Sequence, residues 1–339
     1  MDEEILQLLR DHSSEFLSGE QISRHLRVSR TAVWKRIQRL RALGYEIEAS
    51  TRSGYRLLGS PDLLTPSEIK PYLKTTWIGK TIHHFDTLDS TNAKAYQLAL
   101  DGAEEGEVVI AESQEKGKGR LGRQWVSPPF LNLYLSVILR PKIPPHQASL
   151  ITLMAAVATA DAIRGFSGLA PLIKWPNDIL LQDRKVAGLL NEIHSETDRI
   201  HFVILGVGVN LNAGENTLPK EIRGIATSLK IETGQTISRK AFLPFLLQEL
   251  ERWYSIFIHR GSAVILDAWR GRAHLQGRRV RIASFGETLT GTAIDVDSDG
   301  ALILETADGE RKRVVAGDVE YSRKIEAPNL KHQVPNKSL

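Results

Sequence analysis

Up to Leu58 the apolar residues recur with a helical period, and after Gly59-Ser60-Pro61 the pattern changes, so the chain divides there. Ile22 and Leu26 sit four apart, and Val33, Ile37 and Leu40 fall at i, i+4 and i+7, which predicts two amphipathic helices. Val28 and Ser29 form the turn between them; Ser29 is an N-cap for the second helix, and Gly44 ends it as a C′ glycine. Residues 45–49 and 55–58 then read as two short strands joined by a polar turn with Arg52 near its tip.

The charge of this head is lopsided. Residues 21–56 hold nine Arg and Lys against two Glu, an excess of seven positive charges in a chain whose net charge is only +4. Helix, turn, helix and a two-stranded basic wing is the pattern of a winged helix-turn-helix, with operator DNA as the partner. The second helix presents Arg30, Thr31, Trp34 and Lys35, with Ser29, Arg36 and Arg52 completing the candidate DNA contacts. Lys35, Arg36 and Arg39 suit phosphates, since most such contacts position without specifying. A small three-helix domain whose charges face water is the plainer alternative.

The rest of the 339 residues, with 42% hydrophobic residues overall, is long enough for further domains with real cores. Thr65-Pro66-Ser67-Glu68 reads as a capping box with proline at N1. Strands are expected in "GEVVIAESQ", "LNLYLSVILR", "LIKWPNDILL", "RKVAGLLNEIH" and "HFVILGVGVNLN", with a central helix in "ASLITLMAAVATADAI". Tight turns between successive strands predict an α+β fold, a mixed sheet with helices on one side. Alternation over 278–321 predicts a small five-stranded barrel. The expected domains are 1–60, 65–274 and 275–325, with a disordered tail over 326–339. The acidic start is not a leader sequence, the longest apolar run is too short and polar to span a bilayer, and a cytoplasmic protein is expected. Zero cysteines exclude disulfides and thiolate chemistry.

"GKGRLGRQW" at 117–125 matches parts of two phosphate-binding patterns. Gly117, Gly119 and Gly122 spell G-x-G-x-x-G, and Gly117 and Gly122 have P-loop spacing. Both patterns need a helix to begin at the last glycine, and "WVSPPF" forbids one. What remains is a flexible glycine-rich loop whose Lys118, Arg120 and Arg123 could neutralise phosphate charge, tied down by Trp125. On spacing alone a solvated basic loop fits nearly as well.

The loop stands among other motifs in a fixed order: "DSTN" at 89–92, Ser113-Gln114, the loop itself, "KWPNDIL" at 174–180, "KVAGLL" at 185–190 and "GVGVNLN" at 206–212. With the winged helix in front, the chain resembles the bifunctional biotin-protein ligases and biotin operon repressors over about residues 5–322. The resemblance implies a central domain related to class II synthetases and lipoate ligases, followed by an SH3-like barrel. It implies that biotin and ATP, with Mg²⁺, form biotinyl-5′-adenylate, and that a lysine of a biotin acceptor domain, such as a biotin carboxyl carrier protein, then takes the biotin. The adenylate would also be the corepressor of a ligand-promoted homodimer.

By matching positions, Ser90, Thr91, Asn92 and Gln114 would meet the biotin ring, with Gly117, Gly206 and Gly208 allowing close approach. Arg120 and Lys185 would be catalytic and would also touch biotin. Lys118, Arg123, Trp125, Asn177 and Asn210 would surround ATP or the adenylate, and Asp178 would hold the metal. Lys118 stands where the best known repressor-type members carry arginine, and 211–229 offers no tryptophan to cover the adenine, leaving Ile222 or Ile225. A lipoate-type ligase and a sensor without turnover are the rival readings; the polar Ser-Thr and Gln set favours a ureido ring over a dithiolane.

Overall fold

The computed structural model describes residues 2–273, 275, 277–284 and 287–321; the tail expected over 326–339 lies outside them. The head comprises α1 (Asp2–Asp11), α2 (Gly19–Leu26), α3 (Arg30–Ala42), β1 (Glu46–Ser50) and β2 (Gly54–Gly59). Its core is the apolar set that the periodicity picks out, Ile22, Val33, Ile37 and Leu40, closed by Ile5, Leu6 and Leu9 from α1. Ser18 and Gln21 form a reciprocal capping box on α2, and Ser29 accepts the Ala32 N–H at 3.1 Å to cap α3.

The wing is an antiparallel pair, with Leu17 bridging to Tyr55 as a short third rung. Gly54 makes this possible: its φ is +109°, and a Cβ there would stand 2.0 Å from the Leu17 carbonyl oxygen. Gly54→Ala is expected to destabilise the head by about 1–3 kcal/mol or more. Thermal unfolding would show an earlier transition, accompanied by weaker DNA binding.

After the linker come α4 (Pro66–Ile69), β3 (Ile82–Leu88), α5 (Thr91–Leu100), β4 (Val108–Gln114), β5 (Leu133–Leu139), α6 (Ser149–Ser167), β6 (Leu172–Lys174), β7 (Asp178–Leu181), β8 (Arg184–Ser195), β9 (Ile200–Val209), α7 (Leu229–Thr233), α8 (Arg239–Arg260) and α9 (Ser262–Arg270). The strands form one seven-stranded sheet in the order β3-β4-β5-β9-β8-β7-β6, antiparallel except for the parallel β3–β4 pair. The sheet is mixed, as expected. Its helices, however, are not confined to one side. One face packs on α6, α8 and α9, while Val109, Ile138, Phe202 and Ile204 on the other receive Ala95 and Ala99 of α5. The inward face of α5, Ala95, Leu98 and Ala99, is the one its apolar spacing predicts; the side of the sheet it covers is not.

α6 is long and apolar enough to cross a membrane by composition, contrary to the reading of its interrupted apolar run. Twelve of its residues are buried against the sheet and α8, so it is a core helix. The capping box expected at 65–68 does not form. Thr65 makes no side-chain cap, and Glu68 is buried, where it meets Arg10 and accepts from the Tyr45 hydroxyl at 2.7 Å. That carboxylate joins head to body instead of capping α4.

The C-terminal unit has β10 (Arg279–Ser284), β11 (Glu287–Val296), β12 (Leu302–Glu305), β13 (Arg311–Val314) and β14 (Asp318–Tyr321) in the order β13-β12-β11-β10-β14. All its ladders are antiparallel. Five strands are present as expected, but the outer two do not pair among the described residues, so hydrogen bonds do not close a barrel. Trp175 Nε1 donates to the Gly300 carbonyl at 3.0 Å and fixes this unit beside the glycine-rich segment.

Candidate functional site

Residues 117–125, expected as a glycine-rich loop, form a hairpin tongue. Trp125 N–H donates to Gly117 O at 2.8 Å, Gly119 N–H donates to Arg123 O at 2.6 Å, and Lys118 bridges to Gln124. The tip turns through a single 3-10 turn at Arg120–Gly122, and no α-helix starts there. Gly117 is required by closure: a Cβ would lie 2.4 Å from Trp125 O.

Beneath the tongue the ends of β4, β8 and β9 and the start of α5 enclose a pocket. Its polar end is built from the "DSTN" turn. Gln114 Oε1 accepts from Thr91 N–H at 2.8 Å and from Thr91 Oγ1 at 3.1 Å, while Gln114 Nε2 donates to Ser127 Oγ at 2.9 Å. Ser90 holds the N-cap position of α5 without capping it. Its buried hydroxyl thus lines the pocket uncommitted to the helix. Asn92 is not among the ligand-facing groups in the same sense; its Oδ1 lies 2.6 Å from Ser136 Oγ and its Nδ2 donates to Glu192 Oε2 at 2.8 Å. It braces the floor beneath Gly206, where a Cβ would come within 2.2 Å of Asn92 Oδ1.

Gly208 and Gly188 make the opposite wall because the Trp125 indole lies on them; Cβ atoms there would stand 2.6 Å and 2.8 Å from its ring atoms. The indole Nε1 is buried without a hydrogen-bond partner. The remaining space is only about 50 Å³, room for a water or two. Next to it, between the tongue, the start of α6 and the C-terminal sheet, opens a cleft of about 780 Å³.

The cations stand at the open end. Lys185 is held by its backbone, with N–H donating to Ile225 O at 2.8 Å and its carbonyl accepting from Thr227 N–H at 2.9 Å. Its Nζ pairs with Asp178 Oδ1 at 2.6 Å and lies 5.2 Å from the centre of the Trp125 ring. Arg120 Nη1 reaches Asn177 Oδ1 at 3.4 Å and Gly317 O at 3.3 Å, with no carboxylate of the described residues within ion-pair distance. Burial draws its pKa below the ordinary value, only partly countered by Asp318 and Asp178; a guanidinium still keeps its charge at neutral pH. Arg123 pairs with Asp318 of the C-terminal unit, and Lys118 with Glu192 at 3.0 Å.

Two of the expected ligand contacts, Asn210 and Asp178, also make internal contacts with their side chains. Asn210 is a buried brace: its Nδ2 donates to Thr227 O at 3.0 Å and its Oδ1 lies 3.4 Å from Asn132 Nδ2. Asp178 faces Lys185, and among the described residues no group of three His, Asp or Glu side chains is arranged to hold a metal. Sequence reasoning missed Asn132, whose Oδ1 accepts the N–H groups of Leu211, Asn212 and Ala213, and Ser136, whose hydroxyl donates to Thr91 Oγ1 and Asn92 Oδ1. Each is a lone polar residue on or beside an otherwise apolar strand, and that was the available signal.

On the head, Arg30, Thr31, Trp34 and Lys35 are exposed together on α3, and Arg52 is exposed at the wing tip. Ser29 is occupied as the cap. Arg36 does not stand with the exposed group, because its Nη1 pairs with Asp2 at 3.1 Å.

An anion-binding pocket with a polar recess, on a mixed sheet behind a basic winged helix, defines an acid-activating ligase fused to a DNA-binding head. Residues 84–210 match the model of the biotin/lipoate A/B protein ligase family, residues 2–56 an HTH domain and residues 276–321 the biotin protein ligase C-terminal domain. The chain is 39% identical to the bifunctional ligase/repressor BirA of Bacillus subtilis (strain 168) over 94% of its length and 97% of that protein's. It is 32% identical to BirA of Escherichia coli (strain K12), covering 91% of this chain and 93% of that one. It belongs to the bifunctional biotin-protein ligase and repressor family. A solved biotin protein ligase from Aquifex aeolicus in complex with biotin and ATP superposes with a TM-score of 0.62 at 26% identity, covering 72% of this chain and 99% of that one.

Proposed function

We propose that the chain joins biotin to a protein lysine at the expense of ATP, and that the biotinyl-5′-adenylate it makes turns it into a repressor. The observation that carries this is the gathering of Ser90, Thr91 and Gln114 with Arg120 and Lys185 around a single pocket. A buried ureido ring needs donors and acceptors to replace water. The hydroxyls and the amide carry both kinds of group, and a dithiolane has no donor or acceptor to match them.

In the first step a biotin carboxylate oxygen bonds to the α-phosphorus of ATP, and the bond to the β-phosphate oxygen breaks, releasing pyrophosphate. Arg120 and Lys185 stabilise the charge that grows on the α-phosphate. Lys185 leaves Asp178 partly or wholly to do so. In the second step the neutral amine of the acceptor lysine attacks the acyl carbon, AMP departs and the amine loses a proton to form the amide. The tongue and Trp125 keep water from the anhydride between the steps. Magnesium enters with ATP as part of the substrate: the protein offers it Asp178 and no cage, which suits an ion that keeps phosphate and water ligands. The acceptor is the biotin domain of a carboxylase, and the setting is the cytoplasm.

For the repressor half, adenylate in the pocket orders the tongue and favours a homodimer, which sets two winged helices on a palindromic operator. The test is fluorescence anisotropy of labelled operator-type DNA together with sedimentation, with and without biotin and ATP. Tighter binding and a dimer in the presence of both substrates are expected. Unchanged affinity and mass in an enzyme that forms adenylate would end the repressor reading.

A further inference from the structure

Ser136 is the one aliphatic hydroxyl in β5, fully buried and opposite Gly206 in the β5–β9 ladder. It does not line the pocket, but Thr91 does, and the two oxygens are 2.9 Å apart. The directions of the hydrogen bonds around them follow from the groups at either end. The Glu192 carboxylate and the Leu190 carbonyl only accept, so the Asn92 amide turns its Nδ2 to them, at 2.8 Å and 3.4 Å. Asn92 Oδ1 is thereby left facing Ser136 Oγ at 2.6 Å, and the Ser136 proton must serve it. The same proton is offered to Thr91 Oγ1, so the Thr91 proton cannot point at Ser136. It goes instead to Gln114 Oε1 at 3.1 Å. Gln114 is oriented to receive it: its Oε1 accepts the Thr91 N–H at 2.8 Å, and its Nε2 donates to Ser127, whose own proton is on the Trp125 carbonyl. Thr91 therefore turns a lone pair, not a proton, to the pocket.

We propose that Ser136 is a positioning residue for ligand selection: it keeps the Thr91 hydroxyl turned so that the recess offers an acceptor to a ring N–H of the ligand. The inference rests on the reading of the pocket as the biotin site. A ureido ring carries two N–H donors, and an acceptor held in place beforehand favours a donor over a second acceptor. A free hydroxyl makes no such choice, because rotation about its C–O bond presents either a proton or a lone pair. Ser136 removes that freedom from Thr91 without touching the ligand.

Exchange of labelled pyrophosphate into ATP by the full chain reads the effect. Ser136→Ala is expected to raise the KM for biotin by about three- to tenfold, the loss of one net hydrogen bond. The kcat and the KM for ATP stay within about twofold of wild type, because the reacting end is untouched. In a Thr91→Val background, Ser136→Ala adds less than about twofold, since the group it orients is gone. Two biotin analogues, each with one ureido N–H replaced by oxygen, give the sharper readout, because one of them sets a lone pair against that of Thr91. Wild type is expected to lose about tenfold or more in kcat/KM with that analogue relative to biotin. In Ser136→Ala the discrimination narrows by about threefold or more, as the Thr91 hydroxyl is free to turn. Ser136→Cys, close in size but a weak donor, acts in the same direction and serves if the alanine variant does not fold. An unchanged KM for biotin, an equal rise in the Thr91→Val background, or undiminished discrimination against both analogues overturns the proposal and leaves the biotin reading standing. No exchange with biotin in wild type removes the reading and the proposal together.

Discussion

Lys185→Ala is expected to slow adenylate formation by about 10²–10³-fold, the loss seen when one preorganised group aimed at developing charge is removed. Two backbone hydrogen bonds to residues 225 and 227 fix the Lys185 backbone at the pocket, and the ammonium has only to turn from Asp178 to reach the substrates. The loss should fall on kcat more than on the KM for ATP, because the interaction strengthens as charge builds on the α-phosphate. Single-turnover measurement of adenylate separates this from product release. A fall of less than tenfold would mean that Lys185 chiefly neutralises Asp178; in that case Lys185→Ala combined with Asp178→Asn would be more active than Lys185→Ala alone.

Arg239→Ala is expected to destabilise the protein by about 3–5 kcal/mol, because it strands a buried carboxylate. Arg239 and Glu112 are both fully buried and meet at 2.5 Å. Glu112 also accepts from Leu64 N–H at 3.0 Å, and Arg239 Nε lies 3.2 Å from Asp62 Oδ2. The cluster thus bolts the linker after the winged head onto β4, the strand that ends in Gln114. Burial pushes the Glu112 carboxyl up, but the His84 hydrogen bond, the Arg239 charge and the Leu64 N–H outweigh it and hold it below the usual carboxylate range. A depressed acid contributes stability above its unfolded pKa, which is lost as pH falls through the folded value. Wild type should therefore lose stability on acidification below about pH 4, and Glu112→Gln should flatten that part of the profile. Pairing Arg239→Met with Glu112→Gln should recover much of the loss, since no charge is then stranded. Thermal unfolding across pH tests all three; equal stability of Arg239→Ala and wild type would contradict the account.

The sequence made the local pieces legible. Val33, Ile37 and Leu40 lie on the buried face of α3 as their spacing requires, and the failure of both phosphate-loop patterns agrees with a tongue that begins no helix. The ordered motifs converge on one pocket, since Thr91, Gln114, Lys118, Arg120, Lys185 and Gly208 all line it. What stayed hidden depends on partners far apart in the chain. Glu68 looks like a capping residue until Arg10 and Tyr45 are brought to it, and the bracing of the Asn210 side chain shows only once Asn132 is placed beside it. The inward face of α5, Ala95, Leu98 and Ala99, was legible, but not that it covers the opposite side of the sheet. Glu112 was legible only as an odd charge in an apolar strand; its partner lies 127 positions away.

Exchange of labelled pyrophosphate into ATP by the purified protein, run with biotin and in parallel with lipoate, tests the central claim most directly. Exchange that depends on biotin and not on lipoate is predicted. Exchange with lipoate alone would give the pocket to a different acid, and exchange with neither would remove adenylation from this chain and leave a binding pocket behind a DNA-binding head.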